Sequence, residues 1–293
     1  MFRLIRADPE TPLRGGSVRA GYFRFASRVL IGHVNHMPRC RSILPILAAF
    51  ILGLTSPAFA ATRSGHLETP LPAASPVNPE TRNGVVKLAG DAYAYIPIGA
   101  SGPRPLLVVL HGAGGEPANV LNAYKAQADA NQIVLLIPRS IKGTWDMVDD
   151  LKSRLGAEMN VQPRYGKDLQ ALDASLADLF SKVAIDVRHV GISGFSDGAS
   201  YALSVGTANP QLFTTIMALS PGHSFTKNYD KRQRIFISHG EQDQVLPFSN
   251  ARAITARLRS RGMTVQFEAF QGRHEVPEAI RAKAIAFFMN PAP

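Results

Sequence analysis

Three side chains in this sequence have the types needed for nucleophilic catalysis. Ser196 lies in GISGFSDGAS, between two glycines and after a short apolar run, while Asp243 lies in HGEQDQV and His274 in GRHEVP. A serine hydroxyl is a poor nucleophile unless a base removes its proton as it attacks, and a third group must hold that base in the correct tautomer. The sequence therefore contains a serine, an imidazole and a carboxylate that could together attack a carbonyl carbon.

Short β-rich runs that alternate with helical patterns predict the scaffold for these residues. Two of the runs, PLLVVLHG and QIVLLIP, are nearly continuous in apolar residues, which is typical of parallel strands buried on both faces. The clearest helical pattern, DLQALDASLADLFSKV, places its leucines on one face. We therefore predict an α/β fold with a mostly parallel central sheet and helices on both faces.

Each candidate residue follows a predicted strand. In an open α/β sheet the reactive site lies beyond the carboxyl ends of the strands. Ser196, Asp243 and His274 all occupy such positions, and the glycine-rich HGAGG at 111–115 follows an earlier strand. We therefore expect the three side chains to meet at one edge of the sheet, although Ser196 alone would also fit an ordinary turn serine.

Other histidines and acids in comparable places are the alternatives. Three further histidines lie at or after strand ends, where we expect them to pack or to form hydrogen bonds: His111, His223 and His239. His274 is favoured as the base because it is the only histidine after Asp243. Two other carboxylates are the fallbacks for the acid: Asp230 and Glu241.

The order serine, acid, histidine along the chain resembles that of the α/β-hydrolase superfamily. Within it the sequence is most similar to the phospholipase/carboxylesterase branch and its esterase and polyhydroxybutyrate-depolymerase-like relatives. The motifs that carry the resemblance are LLVVLHGAGG, TWD, GISGFSDGASYALS, ISHGEQDQVLP and FQGRHEVP, and they span roughly residues 87–290. Two departures, Asp197 after the serine and Ala199 in place of a second glycine, bear on substrate preference more than on catalysis.

The resemblance implies further roles around the three residues. Ser196 would be the nucleophile, His274 the base and Asp243 the acid, while the backbone N–H groups of Ala113 and Asp197 would bind the oxyanion. The residues expected to line the substrate pocket are His111, Gly112, Gly114, Trp145 and Phe195. Trp145 fits a core position equally well, and residues 147–166 are expected to form a partial cap.

The net charge of +10 does not indicate a nucleic-acid partner. Residues 1–60 carry eight of the 32 Lys and Arg residues but only two of the 22 Asp and Glu residues. The remainder of the chain has an ordinary balance and no lysine-rich run or aromatic-basic stripe. The expected partner is instead a small-molecule ester, and the sequence carries no information on oligomeric state.

The front of the chain has the order of a secretory signal peptide. MPRCRS, which begins at Met37, is followed by the apolar run ILPILAAFILGL and then by small residues up to Ala60. This order predicts cleavage after Ala60 and a periplasmic or secreted protein. The run is shorter than the roughly 20 residues of a spanning helix, so we expect no membrane span after cleavage. Residues 1–36 would then be a start-codon artefact or an unstructured extension.

The expected organisation is therefore a signal region at 1–60, a linker or leader at 61–86, and one hydrolase domain at 87–293. The single cysteine, Cys40, lies in the signal, which excludes a disulfide or a thiolate zinc site in the mature chain. We expect a serine hydrolase that cleaves carboxylic esters and needs no metal or cofactor. The alternatives are a peptidase or polyester depolymerase of the same fold, and a hydrolase-fold protein that binds a ligand without turning it over.

Overall fold

The computed structural model describes residues 64–73, 76, 83–99, 102–154 and 162–290. All of them fall within the unit Thr55–Pro293. The predicted signal at 37–60 and the extension at 1–36 lie outside the described residues, as do residues 155–161 of the expected cap. Within the described ranges, no helix has the length and apolar character required to cross a membrane.

One sheet forms the centre of the described chain. Its strands are β1 Gly84–Leu88, β2 Ala92–Ile96, β3 Arg104–Leu110, β4 Val134–Pro138, β5 Ile185–Phe195, β6 Thr215–Leu219, β7 Arg234–Gly240 and β8 Thr264–Phe270. Their order in the sheet is β1-β2-β4-β3-β5-β6-β7-β8. β2 pairs antiparallel with β1 and β4, while every other pair is parallel. The predicted mostly parallel sheet is confirmed.

Helices cover both faces of this sheet, also as predicted. They are α1 Pro117–Asn131, α2 Asp146–Arg154, α3 Lys167–Lys182, α4 Asp197–Ala208, α5 Phe248–Ser260 and α6 Glu278–Met289. Alternate residues of β3 enter two separate cores: Leu106 and Val108 pack with residues of α2 to α5, and Leu107 and Val109 with residues of α1 and α6. Because both faces are buried, the strand needs apolar residues at successive positions.

The domain begins before the expected boundary at residue 87. β1 starts at Gly84 and exposes alternate residues at the sheet edge, so it lacks the continuous apolar run that marks the inner strands. Earlier still, Leu67 is buried and its N–H donates to Asn209 Oδ1 over 2.9 Å. The N–H of Thr69 donates to Asp173 Oδ1 over the same distance. Residues 64–73 are therefore fastened to α3 and the end of α4.

Helix α4 packs close to the sheet because glycines lie at the contact, Gly194 on β5 and Gly198 on α4 itself. A Cβ on Gly194 would lie 2.2 Å from the carbonyl oxygen of Gly198, and a Cβ on Gly198 would lie 2.4 Å from the carbonyl oxygen of His111. Both obstructions are backbone atoms, which cannot move without shifting the strand ends. A Cβ on Gly206, further along α4, would instead meet the flexible Ile216 side chain at 2.8 Å.

These contacts predict that two alanine substitutions in α4 lower the free energy of unfolding by different amounts. We expect Gly198→Ala to lower the free energy of unfolding by about 3 kcal/mol, at the upper end of typical overpacking costs. Gly206→Ala should change it by less than about 1 kcal/mol, because better helix propensity offsets the crowding of Ile216. Urea denaturation of both variants measures the difference. Equal costs for the two substitutions would contradict the backbone clash at Gly198.

Candidate active site

Ser196 lies on a sharp turn between β5 and α4. Its backbone has φ 56° and ψ −119°, in a region that residues with a Cβ rarely adopt. Two sets of hydrogen bonds hold it there: its N–H donates to Leu219 O over 2.9 Å, and its carbonyl accepts from the N–H groups of Ala199 and Ser200. The strained turn raises the side chain above the sheet edge, as in a nucleophile elbow.

The structure brings Ser196, His274 and Asp243 into one hydrogen-bonded chain. His274 Nε2 lies 2.8 Å from Ser196 Oγ, and His274 Nδ1 lies 2.6 Å from Asp243 Oδ2. An ionised carboxylate can only accept, so Nδ1 carries the proton. Nε2 is then free to accept the serine hydroxyl, which is the tautomer a general base requires.

The surroundings of Asp243 keep its carboxylate ionised. Burial acts to raise the pKa of Asp243, but hydrogen bonds from His274 and from two backbone amides outweigh it and leave that pKa below its ordinary value. The amides are those of Leu246 and Val245, which donate to Oδ1 over 2.9 and 2.8 Å. Asp243 can therefore stabilise a positive charge on His274 throughout the neutral pH range.

Two backbone amides beside Ser196 point to no acceptor within the described chain: those of Ala113 and Asp197. Neighbouring amides are engaged, since Gly114 N–H donates to Gly143 O and Gly115 N–H donates to Gly112 O. The loop after β3 is thus held in place while the amide of Ala113 remains available. This arrangement suits the binding of an oxyanion.

His111 and Trp145 brace that loop from behind. His111 Nδ1 donates to Gly112 O over 2.7 Å, its Nε2 accepts from the N–H of Ser140 over 3.1 Å, and burial lowers its pKa. A neutral imidazole satisfies both contacts. The indole Nε1 of Trp145 donates to the carbonyl oxygen of His111 over 2.8 Å.

The position of Trp145 corrects one prediction. Its side chain is 0% exposed and packs between His111 and Tyr201, so it is a core residue and does not form a pocket wall. The expected pocket residue Gly114 does not line the cleft described below, although its neighbours Ala113 and Gly115 do. It has φ 68°, and its N–H donates to Gly143 O. Sequence position alone could not separate these residues from their neighbours, because all lie just beyond strand ends.

The family model of phospholipases and carboxylesterases matches residues 92–289. The chain belongs to the phospholipase/carboxylesterase family. No curated protein matches it.

Solved structures share the fold of this family member. Esterase PE8 is 23% identical over 71% of this chain and 100% of its own, with a TM-score of 0.54. A thermostable esterase is 20% identical over 67% of this chain and 58% of its own, with a TM-score of 0.55. A phospholipase/carboxylesterase from Dyadobacter fermentans DSM 18053 is 19% identical over 71% of this chain and 100% of its own, with a TM-score of 0.52.

A cleft of about 330 Å³ opens beside His274, and we call it the α1 cleft. It is lined by residues of α1, of the loop after β3, of the His274 loop and of α6. The expected pocket residues His111, Gly112 and Phe195 lie in its wall, as does Ala113. The Phe195 ring also packs on the His274 imidazole, with centroids 4.7 Å apart. Sequence reasoning missed the contributions of Tyr124 and Arg281, which lie on helices without any motif.

The carboxylate of Asp197 is bound by side chains of α2 and of the segment just before it. Its Oδ2 accepts from Thr144 Oγ1 and from Lys152 Nζ, each over 2.7 Å. Lys152 belongs to α2 and to the cap expected at 147–166, whereas Thr144 lies two residues before α2. We call residues 144–154 the α2 region. The unusual acid after the nucleophile therefore joins this region to the start of α4.

A pair of aspartates holds the start of α2 beside α3. Asp146 Oδ2 accepts from the N–H groups of Gly166 and Asp168, and Asp168 Oδ2 accepts from the N–H of Asp146 over 2.7 Å. Burial raises the pKa of Asp168 to about 6, with the charge of Asp146 adding to the effect. Each carboxylate thus caps the other's helix, and Trp145 directly precedes the end of α2 that they hold.

The alternative bases and acids have other partners. Asp230 binds Arg232, and Glu241 accepts from Gln271. His223 donates its backbone N–H to Ser200 Oγ, and burial lowers the pKa of its imidazole. In the described part of the chain, no group of three or more His, Cys, Asp or Glu side chains could hold a metal ion.

His239 lies directly behind the acid. Its fully buried Nε2 donates to Leu246 O over 2.9 Å and lies 3.1 Å from Asp243 Oδ2. Because Leu246 N–H also binds Asp243 Oδ1, the imidazole fastens the turn that holds the carboxylate. His239 is thus a positioning residue for Asp243, and sequence reasoning assigned it only a general strand-end role.

A matched pair of variants tests this position. We expect His239→Met, which removes the donor, to slow labelling of Ser196 by a fluorophosphonate about fivefold to tenfold, the equivalent of one neutral hydrogen bond. His239→Gln keeps an N–H near the place of Nε2 and should retain most of the rate. Thermal unfolding of both variants serves as the control for folding. Wild-type labelling of His239→Met would exclude the positioning role.

Proposed function

We propose that this protein is a serine hydrolase that cleaves carboxylic esters through an acyl-enzyme on Ser196. The observation that carries the proposal is the chain of short hydrogen bonds from Ser196 Oγ to His274 Nε2 and from His274 Nδ1 to Asp243, at 2.8 and 2.6 Å. Membership of the phospholipase/carboxylesterase family supports the reaction class.

The first half of the reaction forms the acyl-enzyme. Ser196 Oγ attacks the ester carbonyl carbon while His274 Nε2 takes the hydroxyl proton. Asp243 stabilises the imidazolium through its bond to Nδ1. The carbonyl oxygen becomes negatively charged, and the N–H groups of Ala113 and Asp197 donate to it. His274 then passes its proton to the alcohol oxygen as the ester bond breaks.

The second half releases the acid. His274 Nε2 takes a proton from a water molecule, and the water oxygen attacks the acyl carbon on Ser196. The same two amides bind the second oxyanion, and the proton returns to Ser196 Oγ as the acyl bond breaks. Three side chains and one water move every proton and electron pair, so the proposed mechanism includes no metal or organic cofactor.

A small-molecule ester is the proposed substrate. The α1 cleft has a volume of about 330 Å³, which is in the range of small-ligand sites. Its wall includes His274 and the loop that carries Ala113, so part of a bound ester would lie there. Several fold neighbours are themselves named as esterases, which agrees with this choice.

We further propose that the protein acts in the periplasm or is secreted. The support is the order of basic, apolar and small residues in 37–60, which is that of a cleaved signal peptide. The active chain would then begin at Ala61.

Replacement of the nucleophile gives the first test. Ser196→Ala should abolish fluorophosphonate labelling and lower kcat for nitrophenyl esters by about four to six orders of magnitude, because the triad acts as a unit. Ser193→Ala, which changes a fully buried serine of β5 three residues before Ser196, should leave labelling intact. Equal labelling of wild type and Ser196→Ala would refute the assignment.

Export gives the second test. When the native gene is expressed, mass spectrometry of the extracytoplasmic fraction should find a chain that begins at Ala61, and no peptides from residues 1–36 should appear in any fraction. An uncleaved chain confined to the cytoplasm would contradict the proposed location.

A further inference from the structure

One cation in the α1 cleft has no acidic partner within the described chain. Three charged side chains line this cleft: Glu116, Glu275 and Arg281. Glu116 pairs with Arg139 over 2.6 Å, and Glu275 Oε1 accepts from the N–H of Arg273 over 3.1 Å. Arg281 forms no side-chain hydrogen bond or ion pair with any described residue, and its Nε is shielded from solvent without a partner.

Arg281 lines the same cleft as His274. It lies in the first turn of α6, where its N–H donates to Pro277 O over 3.0 Å, only a few residues after His274. Its guanidinium carbon lies 5.8 Å from the centroid of the ring of Tyr124, a buried residue of α1. The guanidinium therefore lies against the α1 side of the cleft.

The remaining wall is mainly apolar, with Val120 and Val276 among its members. In such surroundings a guanidinium without a counter-ion attracts an anion more strongly than it would in open solvent. Its planar fork matches a carboxylate with two parallel hydrogen bonds. Because two glutamates line the same cleft, a monoanion fits its charge better than a doubly charged phosphate does.

We propose that Arg281 binds a carboxylate carried by the substrate, so that the protein prefers esters with a free acid group to neutral esters of the same size. The inference rests on the proposed esterase function, because the α1 cleft is treated as part of its substrate site. The carboxylate can belong to the acyl part or to the alcohol part of the ester, and the experiment distinguishes the two.

The test compares charged and neutral substrates of matched shape. One series contains nitrophenyl monoesters of succinate, glutarate and adipate with their methyl-capped counterparts, and the other contains acetate esters of hydroxy acids with the corresponding methyl esters. Wild type should show a higher kcat/KM for the charged member in one series, which identifies the part of the ester that carries the acid. Arg281→Met should reduce that charged-to-neutral ratio about tenfold or more, as expected for a charge-assisted bond.

Two variants separate the local contact from the overall charge. Arg252→Met removes an exposed arginine of α5, changes the net charge equally, and should leave the ratio unchanged. Arg281→Lys should retain part of the preference. No preference in wild type for either series, or an unchanged ratio in Arg281→Met, would overturn the inference while hydrolysis of the neutral esters would still support the proposed function.

A binding measurement covers the case in which no ester is hydrolysed. Titration calorimetry of Ser196→Ala with monomethyl glutarate should give an affinity at least about tenfold higher than that of Ser196→Ala/Arg281→Met. Equal affinities would refute the carboxylate site independently of turnover. Failure of wild-type hydrolysis together with a difference in affinity would instead reject the esterase function and retain the site.

Discussion

The close approach of α4 to the ends of β3 and β5 is the constraint on which the active-site geometry depends. Gly194 and Gly198 leave no room for a Cβ between these backbones, so the chain turns sharply and Ser196 takes a positive φ. That turn points the hydroxyl toward His274 and leaves the amide of Asp197 without an acceptor in the described chain. One packing contact thus creates both the nucleophile position and one oxyanion donor.

The second oxyanion donor depends on a histidine that stays neutral. His111 uses both ring nitrogens, one as donor and one as acceptor, and burial lowers its pKa. Protonation would place a second N–H against the amide of Ser140, so the loop after β3 is stable only with the neutral ring. Trp145 completes the brace from the core. Ala113 is therefore positioned by the hydrogen bonds of His111 and Trp145, which engage both ring nitrogens of His111 and the indole nitrogen of Trp145.

Sequence reasoning succeeded where the physical signal was local. Continuous apolar runs predicted the inner strands, and the positions of Ser196, Asp243 and His274 after strand ends predicted their meeting at one sheet edge. Sequence reasoning failed where the position of a side chain depends on tertiary packing. The burial of Trp145 depends on contacts with His111 and Tyr201, and the cleft position of Arg281 depends on how α6 packs beside α1. The edge strand β1 was not predicted because the rest of the protein covers only its alternate residues, so the strand lacks a continuous apolar run.

Asp197 shows how a residue that departs from a family pattern can be accommodated. A carboxylate beside the place where an oxyanion develops should oppose it electrostatically. Here the charge lies at the first turn of α4, where the helix dipole favours an anion, and Lys152 and Thr144 donate to it over 2.7 Å. The oxyanion thus faces a neutralised pair instead of a bare negative charge. The ion pair of Lys152 with Asp197 also joins the α2 region to the residue that follows the nucleophile. A shift of this region would therefore change the electric field at Ser196.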